Sequence, residues 1–106
     1  MEKIKELDHE GLEKIIKDGR VVLEFSADWC PDCRFLDPFM PEIEKDFPNA
    51  KFYNIDRDGS IDIAKELMIM GIPSFVVYQD GQEIGRLVNK DRKTKEQVEN
   101  FLRSLD

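Results

Sequence analysis

Two cysteines separated by two residues are the part of this sequence best suited to chemistry. They are Cys30 and Cys33, within the segment Trp29–Cys33 (WCPDC). A pair at this spacing serves as a redox couple, as half of a zinc site, or as two buried structural thiols. A zinc site needs about four ligands, and His9 is the only histidine in the chain, so no metal site is expected. A loop this short adds little constraint to the unfolded chain, so a disulfide here would be redox-active rather than structural.

The position of the pair favours redox chemistry over a zinc site or structural thiols. It follows a β-rich apolar run at 21–26 and opens a segment with helical spacing of apolar residues, so Cys30 falls near a helix N-cap. Unpaired backbone N–H groups and the helix dipole at that end favour a thiolate, which is the nucleophilic form of cysteine. Cys33 lies one turn further in, where it is less exposed and close enough to resolve a mixed disulfide. Pro31 falls near the first helical position, where its missing N–H is not needed.

Two carboxylates accompany the pair. Asp32 suits the first turn of a helix, but as a neighbour of Cys30 it opposes formation of the thiolate. Because a destabilised thiolate disfavours the reduced form, we expect Asp32 to shift the couple towards reducing potentials; the alternative is that it only helps to start the helix. Glu24 lies inside an apolar strand, where a carboxylate is costly unless it is partnered or protonated.

The elements that position these residues follow from periodicity and turn signals. The order βαβαβα followed by ββα predicts an α/β fold, with a mostly parallel sheet, an antiparallel end and helices on both faces. At 106 residues, without linkers or repeats, the chain is expected to form a single domain over residues 1–106. Strands are predicted at 3–7, 21–26, 51–56, 74–78 and 82–88; helices at 8–17, 31–47 (kinked at Pro38 and Pro41), 61–70 and 94–105; and a hairpin turn at Asp80–Gly81.

Charge and composition exclude several classes of function. The chain has 23 acidic and 16 basic residues, a net charge of −7, which opposes binding to nucleic acid or to an anionic membrane surface. The densest basic stretch, 90–95, contains an acid and is predicted to be a solvated turn before a helix. No apolar run approaches the ~20 residues of a membrane span, and no signal-peptide pattern is present, so a cytoplasmic protein is expected. The four methionines are predicted to fill the core.

Several short segments, in order, resemble the thioredoxin family over essentially the whole chain. Forty positions separate Cys33 from Pro73, a usual separation in that family. The resemblance implies a thioredoxin fold, a central mixed β-sheet flanked by about four helices. It also implies thiol-disulfide oxidoreductase activity without a bound cofactor, carried by a redox-active Cys30–Cys33 disulfide. The segments that carry the resemblance are Ala27–Cys33, Pro38, Asn54–Asp56, Gly71–Ser74 and Asp80–Gly81.

The resemblance also implies a role for each matching residue. Cys30 would attack a substrate disulfide and Cys33 would resolve it. Pro73 would be the family's cis-proline beside the pair, and Ile72 would offer backbone hydrogen bonds to an extended substrate segment. Trp29 would cover the site and contact the substrate; the alternative is plain core packing.

Glu24 falls where the family commonly has a buried Asp that accepts a proton from the resolving cysteine. Burial would raise the pKa of Glu24 towards neutrality, which suits a general base; the alternative is that its side chain reaches solvent.

The sequence departs from the family pattern at three positions near the site. Phe52 replaces the lysine that often partners the buried acid, Ser26 replaces a second tryptophan, and Asn89 replaces a glycine of the substrate groove. The middle dipeptide Pro-Asp resembles that of family members with narrower substrate choice.

The leading interpretation is a dithiol reductant of protein or small-molecule disulfides, active in electron transport and cell redox homeostasis. A thioredoxin reductase or a similar flavoprotein would be its electron donor. The alternative is a non-catalytic binding module with a thioredoxin fold, against which the presence of both cysteines, Trp29 and Pro73 argues. An oxidase or isomerase of an oxidising compartment is disfavoured by Asp32.

Overall fold

The computed structural model describes all 106 residues and has a five-stranded mixed sheet at its centre. The strands are β1 (Glu2–Ile4), β2 (Arg20–Ser26), β3 (Ala50–Asp56), β4 (Ser74–Gln79) and β5 (Gln82–Leu87). Their order across the sheet is β1-β3-β2-β4-β5. β3 pairs in parallel with β1 and β2, whereas β4 runs antiparallel to β2 and β5. The predicted mixed sheet with an antiparallel end is therefore confirmed, although two of its four strand pairings are antiparallel, so the sheet is not mostly parallel.

Helices cover both faces of this sheet. They are α1 (His9–Ile15), α2 (Pro31–Leu36), α3 (Met40–Asp46), α4 (Ile61–Glu66) and α5 (Lys95–Arg103). Successive side chains of a strand point to opposite faces, so β2 contributes to two apolar clusters. Leu23 and Phe25 pack with residues of α1 and α4, while Val22 packs with residues of α2, α3 and α5. None of these helices has both the length and the apolar composition that a bilayer crossing requires.

Capping and turn residues in the sequence predicted two helix starts and one hairpin turn correctly. Asp8 caps α1 by accepting a hydrogen bond from the Gly11 backbone N–H at 2.7 Å. Thr94 and Gln97 form the reciprocal capping box at the start of α5. The Asp80–Gly81 turn has positive φ at both residues, 50° and 86°, which is the geometry of a two-residue hairpin loop.

The helix predicted over 31–47 and the one predicted over 61–70 differ from the structure. A 3-10 turn, Asp37–Phe39, separates α2 from α3, because Pro38 and Pro41 lack the N–H groups that a continuous helix would use. α4 ends at Glu66, and Met68 has a left-handed φ of 56°, which no helix continues through. The edge strand is Glu2–Ile4 rather than 3–7.

The prediction that the four methionines fill the core is wrong for three of them. Met40 is buried, with 2% of its surface exposed, but Met1, Met68 and Met70 are 39%, 66% and 73% exposed. Because α4 stops before Met68, the Met68 and Met70 side chains leave the helical face on which the sequence pattern placed them.

Candidate functional site

The cysteine pair lies where β2 leads into α2. Pro31 is the first residue of α2, as predicted, and Cys30 is its N-cap. The Cys33 backbone N–H donates a hydrogen bond to the Cys30 Sγ at 3.2 Å, and both thiols are free. The Cys30 thiol points at the Ile72 carbonyl oxygen, 3.9 Å away. A sulfur therefore takes the place of the oxygen that usually caps a helix.

Burial distinguishes the two thiols. Cys30 is 5% exposed and borders an open groove, whereas Cys33 is 1% exposed. Burial raises the pKa of the Cys33 thiol far above its ordinary value, and the hydrogen bond with Cys30 adds to this effect. Cys33 therefore keeps its proton until a base removes it, since only the thiolate is a competent nucleophile.

Glu24, on β2, is the buried carboxylate of the site, with none of its surface exposed. Asn54 Nδ2 donates hydrogen bonds to Glu24 Oε1 at 2.9 Å and to Ser26 Oγ at 2.8 Å. Glu24 Oε2 has no hydrogen-bond partner. Burial raises the pKa of Glu24 to about 7, although the Asn54 hydrogen bond opposes this shift. The alternative in which Glu24 reaches solvent is wrong.

Asp32 has a partner that the sequence analysis missed. Arg92 Nε donates a hydrogen bond to Asp32 Oδ1 at 2.9 Å, and the Arg92 guanidinium lies 4.4 Å from the centroid of the Phe35 ring, a cation–π distance. The two partners are 60 residues apart, so no local pattern indicates the pair. Because Arg92 offsets the charge of Asp32, the carboxylate opposes a Cys30 thiolate less than an unpaired one would.

Lys93 corrects the prediction that the basic stretch 90–95 is solvated. It is 2% exposed, and its Nζ donates to Asn89 Oδ1 at 2.8 Å and to the Asp91 carbonyl at 2.7 Å. Burial lowers the pKa of Lys93, while negative charge on Asp91 and on the nearby site residues favours its charged form. Lys93 thus holds the loop before α5 and puts a cation within electrostatic range of the cysteine pair.

The turn before β4 forms the other wall of the groove. The Ile72–Pro73 peptide bond is cis, as expected, and Ser74 Oγ donates a hydrogen bond to the Gly71 carbonyl. A Cβ added at Gly71 would overlap the Asn89 backbone, so only glycine allows this close approach. The packing of Gly71 against the Asn89 backbone fixes the Ile72 carbonyl beside Cys30. Asn89, which the resemblance places at the substrate groove, contacts Gly71 of the groove lining through its backbone.

Trp29 is 59% exposed, so core packing does not explain it. Its indole Nε1 donates a hydrogen bond to Asp58 Oδ2 at 2.6 Å, which lowers the pKa of Asp58. The Arg57 guanidinium lies 5.8 Å from the centroid of the Trp29 ring. Sequence reasoning missed both Arg57 and Asp58, which follow β3 and meet Trp29 only through the parallel pairing of β2 with β3.

No group of three or more His, Cys, Asp or Glu side chains in the structure has an arrangement that could hold a metal ion. The groove between Trp29, Cys30 and Ile72 has a volume of about 350 Å³ and is open to solvent.

A comparison with known families decides the assignment. The family model described as Thioredoxin matches residues 3–104. The chain belongs to the thioredoxin family. It is a thiol-disulfide oxidoreductase, and its family uses a redox-active cysteine pair rather than a bound cofactor. The predicted resemblance and fold are confirmed.

Individual thioredoxins agree with this assignment. The chain is 37% identical over 81 residues to thioredoxin H-type of Fagopyrum esculentum, covering 76% of this chain and 70% of that protein. It is 35% identical over 74 residues to mitochondrial thioredoxin-3 of Saccharomyces cerevisiae, covering 70% of this chain and 58% of that protein. The crystal structure of oxidised mitochondrial thioredoxin 3 from the same yeast superposes with a TM-score of 0.83 at 28% identity, covering 98% of this chain and 94% of that one. The relatives thus include mitochondrial proteins.

Glu24→Gln is expected to stabilise this thioredoxin at alkaline pH. The pKa of Glu24 rises from 4.5 to about 7 on burial, so its contribution to stability is fully present below pH 4.5 and is lost as the pH rises through 7. The shift corresponds to roughly 3 kcal/mol. Urea unfolding of both proteins should show Glu24→Gln gaining up to that amount between pH 4 and pH 8. The exposed Glu6→Gln is the control, and a wild-type profile parallel to that of Glu24→Gln would contradict the burial effect.

Substitutions of the two members of the Asp32–Arg92 ion pair are expected to shift the reduction potential of the cysteine couple in opposite directions. Asp32→Asn removes a negative charge and leaves Arg92 unpaired, which favours the thiolate and makes the couple more oxidising. Arg92→Gln leaves Asp32 unpaired and makes it more reducing. Each shift should be no more than about 20 mV, because exposed ion pairs contribute up to ~1 kcal/mol. Equilibration with glutathione measures both potentials; Lys45→Gln on α3 is the charge control, and shifts of the same sign would refute this role.

Proposed function

We propose that this chain is a dithiol reductant in which Cys30 attacks a substrate disulfide and Cys33 resolves the mixed disulfide. The observation that carries this proposal is the asymmetry of the pair. Cys30 Sγ caps α2, accepts the Cys33 N–H at 3.2 Å and borders an open groove, whereas Cys33 lies behind it with 1% exposure. An incoming disulfide sulfur can therefore reach only Cys30 first.

The reaction transfers two electrons in two exchanges. The Cys30 thiolate attacks one sulfur of the substrate disulfide, and the other substrate sulfur leaves as a thiolate and takes up a proton. Cys33 then loses its proton and attacks the Cys30 sulfur, which forms the Cys30–Cys33 disulfide and releases the second substrate thiol. The pair ends oxidised and the substrate ends as a dithiol.

Glu24 is proposed as the acceptor of the Cys33 proton. Its pKa of about 7 places a buried carboxylate in the range where it both accepts and releases protons near neutral pH. A negative charge on Glu24 also raises the pKa of Cys33, so the two groups lie within electrostatic range. Oε2, which has no hydrogen-bond partner, has an acceptor site free for that proton.

The groove is proposed to bind an extended segment around the substrate disulfide. The backbone of Ile72, held beside Cys30 by the Gly71–Ser74 turn, would pair with the substrate backbone as in strand addition. Trp29 and Pro73 would contact the side chains next to the disulfide. Thioredoxins in general work with thioredoxin reductase, and we propose such a flavoprotein as the electron donor and protein or low-mass disulfides as acceptors.

We further propose a reducing compartment, the cytoplasm, and a single domain over residues 1–106. The chain has only two cysteines and both belong to the redox pair, so the fold contains no structural disulfide, as is usual for proteins of reducing compartments. The family match over 3–104 supports the single domain. Subcellular fractionation should place the protein in the cytosolic fraction, and recovery with mitochondria would contradict this assignment.

The proposed function predicts NADPH oxidation in a coupled assay with purified thioredoxin reductase, with insulin and cystine in turn as final acceptors. Turnover should require both cysteines and should stop in Cys30→Ser and in Cys33→Ser. Cys33→Ser should also trap a disulfide-linked adduct with insulin, visible on a non-reducing gel, because the mixed disulfide is no longer resolved.

Dithiothreitol provides the control for the coupled assay, since it reduces the pair without a partner enzyme. A protein that dithiothreitol reduces but thioredoxin reductase does not would contradict the proposed electron donor. An adduct that forms with Cys30→Ser instead of Cys33→Ser would reverse the proposed order of attack. The free thiols of Cys30 and Cys33 and the open groove beside Cys30 give no support to the alternative, a non-catalytic binding module.

A further inference from the structure

An exposed apolar surface extends beyond the cysteine groove. Ile61, Met68 and Met70, which we call the methionine surface, are 41%, 66% and 73% exposed. They line a second cavity of about 190 Å³ next to the groove. Met70 and Arg57 line both cavities, so the methionine surface is continuous with the groove that holds Cys30.

Met68 is the least expected residue of this surface. It follows α4 with a φ of 56°, a backbone conformation in which glycine is the usual residue and a side chain is strained. Its side chain is 66% exposed and therefore gains little from burial. Stability does not explain a strained and exposed apolar residue, and such outliers concentrate at functional sites.

Cations border the methionine surface. Lys65 lines the second cavity and Lys90 lines the groove, and neither takes part in a salt bridge. Arg57 lines both cavities and is paired with Asp58 at 2.9 Å. Unpaired cations here are notable because the whole chain carries a net charge of −7.

We propose that the methionine surface is a second docking site for protein substrates, one that takes an apolar side chain flanked by acidic residues. The inference rests on the proposed function and narrows its substrate class. A cavity of about 150 Å³ holds a benzene molecule, so the 190 Å³ cavity has room for one leucine or aromatic side chain. Methionines adapt their shape to such partners, and Lys65 and Lys90 attract the flanking carboxylates.

The test uses disulfide-linked peptides of equal length that differ only beside the disulfide. One carries leucine flanked by glutamates, one has serine in place of that leucine, and one has lysines in place of the glutamates. The neutral 2-hydroxyethyl disulfide reports the intrinsic reactivity of the pair. The rate of reduction by the fully reduced protein should be about fivefold higher for the first peptide than for the other two, and 0.5 M salt should reduce its advantage over the lysine peptide.

The Met68→Gly variant distinguishes a docking role of the Met68 side chain from a structural one. Glycine removes the side chain and accepts the left-handed backbone, so the melting temperature should not fall below that of the wild type. The rate with the glutamate–leucine peptide should fall about fivefold, while the rate with 2-hydroxyethyl disulfide stays unchanged. Lys65→Gln should weaken the preference for glutamate over lysine. Ile84→Ala, at an exposed apolar position on β5, is the matched control and should change neither rate.

Two outcomes would overturn the inference, and a third, distinguishable from them, would refute the proposed function on which it rests. If the wild type reduced the three peptides at equal rates, the proposed preference for an apolar side chain flanked by acidic residues would be wrong. A Met68→Gly protein that slows all substrates alike, or that melts at a lower temperature without losing peptide preference, would assign Met68 a structural role. Failure to reduce 2-hydroxyethyl disulfide at all would instead refute the proposed function on which the inference rests.

Discussion

The hydrogen bond from the Cys33 N–H to the Cys30 sulfur is the interaction on which the site depends. It exists only because β2 ends just before the pair and α2 begins with Pro31, which leaves the sulfur to cap the helix. The opposite wall is set by a chain of contacts. Lys93 holds Asn89, the Asn89 backbone packs against Gly71, and Gly71 precedes the Ile72 carbonyl that faces the thiol. Loss of one contact in this chain would move the carbonyl relative to the sulfur.

Burial acts on the two charged groups near the pair in opposite directions. It raises the pKa of Glu24 and lowers the pKa of Lys93, because in each case the neutral form loses less solvation. Lys93 satisfies its donors with Asn89 and with the Asp91 carbonyl, as a structural cation should. Glu24 leaves one oxygen without a partner, and a buried acceptor in that state destabilises the fold. This difference agrees with the proposed role of Glu24 as a proton acceptor and with a structural role for Lys93.

Sequence reasoning succeeded where the physical cause is local. The helix starts at Asp8 and Thr94, the turn at Asp80–Gly81 and the apolar strand at 21–26 all depend on neighbouring residues, and each was predicted. The ion pair between Asp32 and Arg92 and the burial of Lys93 depend on elements 60 positions apart being folded together, so the charge pattern of 90–95 alone predicted solvent exposure. The end of α4 was missed because methionine at 68 carries no stop signal, although the backbone turns left-handed there.

Residues that break local preferences are concentrated around the cysteine pair. A carboxylate lies in an apolar strand at Glu24, a large aromatic side chain is exposed at Trp29, and a methionine adopts a glycine conformation at Met68. Elements further from the pair, such as the capping box of α5, follow the usual rules. Natural folds tolerate such conflicts mainly where function requires them. Met68 lies outside the cysteine groove but in a cavity that shares Met70 and Arg57 with it. The argument that supports the proposed roles of Glu24 and Trp29 therefore also supports the proposed docking surface at the end of α4.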